Sequence, residues 1–183
     1  MDTGFDGMQR TLEVLRNQGL ATVGSRYDGE ESWTMVEKEG VNIGIVAYTY
    51  ETTGAGADSV SINGNYVSKE AEELINSFNY NELDQDIERI ASDMEAAEEA
   101  GADLIICYMH WGNEYQREPD DNQAYMAQAL ADRGADIIFA SHPHVLQRVD
   151  LLESADERTV PVFYSMGNFI SNQRYETLNQ NRY

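Results

Sequence analysis

The sequence predicts an α/β domain, on three observations. Two segments share one layout: "GADLIICYMHWG" (residues 101–112) and "GADIIFASHPHVLQ" (residues 134–147) each pass from Gly-Ala-Asp into a continuous apolar run. A stretch with apolar residues at helical spacing precedes each run, so helix and strand alternate. The runs are apolar without interruption, the pattern of strands covered on both faces of a sheet. With 183 residues, 42% of them hydrophobic, the chain is long enough for a packed core, and one domain over 1–183 is expected.

Each element has its own signal. Residues 4–18 place Phe5, Met8, Leu12 and Leu15 on one helical stripe, with Asp2 or Thr3 to cap it and Gly19 to stop it. "SWTMVEKEGVNIGIVAYTYE" reads as two strands about a Lys38-Glu39-Gly40 turn, the second from Val41 to Thr49. "TTGAGADSVSINGNY" is a polar, Gly-rich loop with the length of an insertion or a lid. An acidic helical stretch follows, broken near "NSFNYN". Its second part carries Leu83, Ile87, Ile90, Met94 and Ala97 at helical spacing and closes at Gly101.

A strand at 103–109 runs into the loop "HWGNEYQREPDDN". The next helix, at about 121–133, is expected to hold Tyr125, Met126, Ala129 and Leu130 inward and to end at Gly134. A strand at 136–140 delivers "SHPH". "LLESADERT" reads as a turn region, and "VPVFYSMGNFI" as a last buried strand entering a loop.

Composition narrows the function. Twelve basic against 33 acidic residues give a formal charge of −21, which repels phosphate backbones, and no basic patch offsets it. Nucleic acid is therefore not an expected partner. The single cysteine, Cys107, lies in an apolar run and is expected as a buried thiol. No apolar run reaches roughly 18 residues, so no membrane segment is expected in this chain. Both ends look cut.

The chain has three histidines, and all three fall at strand exits: His110 after one strand, His142 and His144 after the next. Ligand sites of open α/β sheets gather outside the carboxyl ends of the strands. Neutral imidazole is a common ligand of zinc, iron and manganese. Pro143 fixes its own φ and biases His142 towards an extended conformation, which limits the freedom of both flanking rings. Three imidazoles suit a single zinc; a hydrolytic metal pair also needs bridging carboxylates, and no Asp or Glu is obviously placed to supply one. Ser141 beside His142 is adjacent in sequence and does not suggest a facing Ser–His pair. "GAGADS" and "GNFIS" lack the phosphate-loop pattern.

"YMHWGNEYQREP", "GADIIFASHPHVLQ" and "VFYSMGNFISNQ" resemble, in order and spacing, the later motifs of the poly-γ-glutamate capsule synthesis (CapA-type) proteins, a branch of the calcineurin-like metallophosphoesterases. The likeness runs from about residue 3 to residue 173. It implies a calcineurin-like metallophosphoesterase fold, with layered sheets flanked by helices, incomplete at both termini. It implies that His110, His142 and His144 are ligands to divalent metal ions, two in the complete protein, of Mn, Fe or Zn. Ser141 stands where the superfamily usually has glycine. Asn168 matches a motif position near the site, with a positioning or substrate role. The family's earlier motifs, which carry its aspartate and Asn-His ligands, would lie upstream of Met1. The chain is then a partial domain with roughly half of the metal shell, weak at holding a metal pair and inactive alone.

The complete protein is expected to be a metal-dependent, phosphoesterase-like hydrolase of capsule or poly-γ-glutamate biosynthesis. The alternative is a non-catalytic metal- or polymer-binding accessory of an envelope polymer synthesis or export assembly. Expected partners are an anionic polymer or a small phospho- or glutamyl substrate, and other capsule-synthesis proteins. The family implies the cell envelope, extracytoplasmic and membrane-anchored. Trp111, Glu114 and Gln116, on the loop after His110, are candidates to line a substrate groove.

Overall fold

The computed structural model describes residues 4–52 and 59–171. Asp2 and Thr3, named above as caps, and much of the Gly-rich loop lie outside the described residues. Helix α1 (Gly4–Asn17) buries Leu12, while Phe5 and Met8 pack on a small cluster of Val67, Ala71 and Ile75. Leu15, expected on the same inner stripe, is 36% exposed. Strands β1 (Trp33–Lys38) and β2 (Val41–Tyr50) form an antiparallel hairpin with Lys38 opposite Val41. Glu39 and Gly40 between them both take positive φ, 56° and 85°, the backbone of the tight turn that matches strand twist.

The segment read as loop holds a short hairpin, β3 (Ser61–Ile62) with β4 (Asn65–Tyr66), followed by helix α2 (Lys69–Glu72). The break at "NSFNYN" contains β5 (Ser77–Phe78), too short for a periodic signal. Then come α3 (Leu83–Glu99), β6 (Leu104–His110), α4 (Asp121–Asp132), β7 (Ile137–Ser141), β8 (Val149–Glu153) and β9 (Thr159–Phe163). β8 is a correction, because "LLESADERT" begins inside it. Its side chains alternate exposed and half-buried, so it lacks the apolar run that marks the inner strands.

The main sheet has the order β1-β2-β6-β7-β9-β8, with β5 alongside the end of β2. β2, β6, β7 and β9 are parallel, and β1 and β8 close the two edges antiparallel. Helices α3 and α4 pack on the same face. Val46, Cys107, Ile138 and Val162 lie in one register row there, all fully buried with Ile90, Met94, Met126 and Leu130. A Cβ on Gly44 would stand 2.8 Å from Ile105 Cδ1 and 3.0 Å from Ala97 Cβ of α3, so glycine is what lets the helix approach the strand.

Met126, Ala129 and Leu130 face inward as expected, and Tyr125 does not. One residue is about 100° around a helix, and Tyr125, 51% exposed, reaches sideways to donate its hydroxyl to Asp84 of α3. The second face of the sheet also differs from expectation. Its row Ala47, Tyr108, Phe139 and Phe163 is apolar, yet only partly buried. Helices α3 and α4 lie on the opposite side, and this face is approached by α1 and by the segment 21–25 that follows it, around an open cleft bounded by Met8, Leu12, Val23, Ile45, Ala47 and Tyr108. No helix among the described residues is long and apolar enough to cross a membrane.

Candidate functional site

Register alone brings the histidine-bearing strand ends together. Thr49 of β2 pairs with His110 of β6, and His110 pairs with Ser141 of β7, so His142 leaves the sheet one residue beyond the neighbour of His110. The ring centroids of His110 and His142 are 4.8 Å apart, and those of His142 and His144 are 6.1 Å apart. The three imidazoles therefore share one rim of the sheet.

The "SHPH" backbone is not extended at His142. Its φ is 110°, and that of His144 is 61°, both in a region that L residues avoid at a cost of about 1–3 kcal/mol each. The proline restricts the ordinary helical alternative, and the surrounding contacts hold the rest. Pro143 is buried and its carbonyl accepts from Tyr115 N–H at 2.8 Å. Strain of this kind persists where a fixed side-chain direction is being held.

Electrostatics keeps two of the rings neutral. Burial, reinforced by the neighbouring imidazoles, pushes the His110 pKa down to about 4. Burial also lowers His142, against the opposing pull of Glu114. Neutral imidazole is the form that binds a metal. Outer contacts aim the rings: His144 Nδ1 lies 2.7 Å from Asn168 Oδ1, and its Nε2 lies 3.9 Å from Glu114 Oε1. Tyr50 Oη lies 3.2 Å from His142 Nε2, and the Tyr115 ring stacks on His144 at 5.8 Å.

The residues singled out from the sequence thus divide. His110, His142, His144, Glu114 and Asn168 meet at the rim. Trp111 is fully buried, its backbone N–H donating to Ser141 and its indole N–H to the Tyr164 carbonyl at 3.0 Å, so it packs beneath the rim and presents no surface. Gln116 contributes its backbone carbonyl to the buried amide of Gln147 and points its side chain to solvent. Sequence reasoning missed Tyr50, Tyr80, Gln123 and Gln147. Tyr80 accepts from Gly112 N–H at 2.9 Å, and Gln123 and Gln147 pin the loop that carries Glu114. Gln147 stood inside the quoted "HPHVLQ" segment, the one signal that pointed to any of them.

Among the described residues, no group of three or more His, Cys, Asp or Glu side chains is arranged to hold a metal ion. The donor chemistry fits the nitrogen side of such a site, with His110 and His142 kept neutral by burial and His142 and His144 each in contact with an outer hydrogen-bonding partner.

A family of bacterial capsule synthesis proteins, PGA_cap, matches residues 1–173. The chain belongs to this family. The PGA_cap family has the metallophosphoesterase-like fold, in keeping with the mixed sheet and its flanking helices. The chain is 31% identical over 176 residues to the PGA biosynthesis protein CapA of Bacillus subtilis (strain 168), covering 94% of this chain and 40% of that protein. It is 28% identical over 174 residues to the capsule biosynthesis protein CapA of Bacillus anthracis, covering 94% and 38%. The chain thus spans about two fifths of the length of these PGA_cap relatives. A crystal structure of a hypothetical protein from Thermus thermophilus overlaps 84% of this chain and 47% of its own at a TM-score of 0.43 and 14% identity, a likeness too loose to argue from.

Proposed function

We propose that this chain carries the histidine side of a divalent-metal site in a capsule synthesis protein whose complete form is a metal-dependent hydrolase of phosphate, ester or amide-type bonds. The observation that carries the reading is the convergence of three imidazoles on one rim, at 4.8 and 6.1 Å between ring centroids, with burial holding two of them neutral. His110, His142 and His144 would hold the metal, which when bound supplies Lewis acidity and an activated water. The chain's own groups have other tasks. Asn168 accepts from His144 Nδ1–H and so leaves Nε2 as the free donor. Glu114 faces the same nitrogen from the loop above. Tyr115 covers the His144 ring and limits its contact with water.

The second reading is a non-catalytic one: a metal- or polymer-binding accessory of an assembly that makes or exports an envelope polymer, working beside other capsule-synthesis proteins at the cell envelope. It asks for a bound ion and no turnover, so it does not depend on the bridging carboxylates that a hydrolytic metal pair needs. A charge of −21 opposes direct binding of an anionic polymer, so contact with one would run through a bound cation.

Turnover by the full-length protein separates the two. Loaded with Mn²⁺, Fe²⁺ or Zn²⁺, it is assayed on phosphomonoesters, phosphodiesters and γ-glutamyl peptides. Metal-dependent turnover that falls at least a hundredfold in His142→Ala supports the hydrolase. Stoichiometric metal without turnover on any of these supports the accessory role. Failure to bind any of the three ions sinks both.

A further inference from the structure

We propose that Tyr50 is a positioning residue of the histidine rim, whose phenol oxygen holds the Nε2–H of His142 and so turns Nδ1 of that ring to the space the histidines share. The inference rests on the metal-site reading above and adds a residue to it. Tyr50 ends β2, where the strand pairs with β6 through Thr49 and His110 and with β5 through Tyr50 and Phe78. Its Oη is 3.2 Å from His142 Nε2. Its ring lies 4.9 Å from that of His142 and is stacked 6.1 Å from that of His110, at an interplanar angle of 7°.

The phenol has little freedom to be elsewhere. Tyr80 backs the Tyr50 ring at 5.9 Å, and is itself fixed by the edge of Phe78 at 5.3 Å and by the N–H of Gly112. Aromatic packing of this sort sets the ring plane, and the ring plane sets where Oη stands.

A neutral imidazole carries one N–H and one lone pair. With the phenol against Nε2, that nitrogen is closed to an ion, and Nδ1 is the only donor His142 has left. For Nδ1 to be a donor, the proton must sit on Nε2 and Tyr50 Oη must accept it. His144 is arranged the other way round: the amide oxygen of Asn168 faces Nδ1, the proton sits there, and Nε2 is the donor. The two rings of "HPH" thus present different nitrogens, each selected by its outer partner. The positive φ at both residues, 110° and 61°, is the backbone cost of turning them so.

The test uses ¹⁵N-histidine-labelled chain and long-range ¹H–¹⁵N correlation spectra, which report which ring nitrogen bears the proton. The expected result is Nε2–H on His142 and Nδ1–H on His144. In Tyr50→Phe, the His142 Nε2–H signal loses its protection from exchange, the His144 signals stay in place, and Zn²⁺ titrated into the labelled protein binds about tenfold more weakly. An unprotonated Nε2 on His142 in the unsubstituted chain overturns the proposal, as does unchanged exchange and affinity in Tyr50→Phe. If Zn²⁺ perturbs no histidine in either protein while the proton positions are as stated, the metal-site reading fails and the hydrogen bond stands.

Discussion

The Gln147 side chain makes three hydrogen bonds, with both of its N–H donors engaged. Its Oε1 accepts from Gln123 Nε2 at 3.0 Å, and its Nε2 donates to the carbonyls of Gln116 and Glu118 at 3.0 and 3.2 Å. Gln123 in turn accepts from the N–H of Asp120, and both glutamines are buried. The pair ties the loop bearing Glu114 and Tyr115 to the turn bearing His144. Gln147→Met keeps the volume and strands the Gln123 donor, with an expected cost of about 2 kcal/mol in urea unfolding. Amide exchange should quicken across residues 112–120 and stay unchanged in β6; equal protection in the loop would show that the amides do not hold it. Gly112→Ala strikes the same contact, since its φ is 83° and a Cβ would stand 2.6 Å from Gln123 Cδ. The histidines were legible in the sequence because each follows an apolar strand directly. Tyr50 and Gln147 were not, because their partners are set by tertiary pairing: Tyr50 is 92 positions from His142. A glutamine or tyrosine carries no period that announces such a partner.

The same contrast holds for whole elements. α3 is legible because Ile87, Ile90, Met94 and Ala97 repeat at helical spacing and all four are buried. β6 and β7 are legible as unbroken apolar runs. β8 is an edge strand with one row towards solvent, and Asp150 and Glu153 hide it among turn residues. What fixes the turn between β8 and β9 is Arg158. It donates to the carbonyl of Ala131 in the last turn of α4 and to that of Ala135 just beyond the helix, and pairs with Asp136 and Asp156. Arg158→Ala should cost about 1–2 kcal/mol, since it frees helix-end carbonyls as well as the ion pairs. Arg158 and the Ser154 hydroxyl hold the Asp156 carboxyl down at about pH 2. Its contribution is therefore complete above the ordinary carboxylate range and is lost as pH falls from about 4 towards 2. In Asp156→Asn, that part of the acid-unfolding curve should flatten; an unchanged slope would show that the pair is too exposed to matter.

At the scale of the molecule, the sheet has one face packed by α3 and α4 and one apolar face only partly covered, so a pattern that reads as two-sided burial is satisfied on one side. The rim has the same asymmetry, with three imidazoles gathered and, among the described residues, no group of three or more His, Cys, Asp or Glu side chains arranged to hold an ion. Two divalent ions repel unless carboxylates lie between, and a charge of −21 spread over the surface draws cations without fixing them. This chain should therefore bind metal weakly, with a dissociation constant of about 100 μM or above. Ligand that binds only the folded state stabilises it by RT ln(1 + [L]/Kd), which at about 100 μM Zn²⁺ is about 0.4 kcal/mol or less. For a domain of this size that is a rise of about 1–2 °C at most. Thermal unfolding in EDTA and in about 100 μM Zn²⁺ should thus nearly coincide, and His142→Ala should remove what difference there is. A nanomolar site would add more than about 6 kcal/mol and raise the midpoint by over 10 °C. That shift, surviving in His142→Ala, would place the ligands somewhere other than the histidine rim.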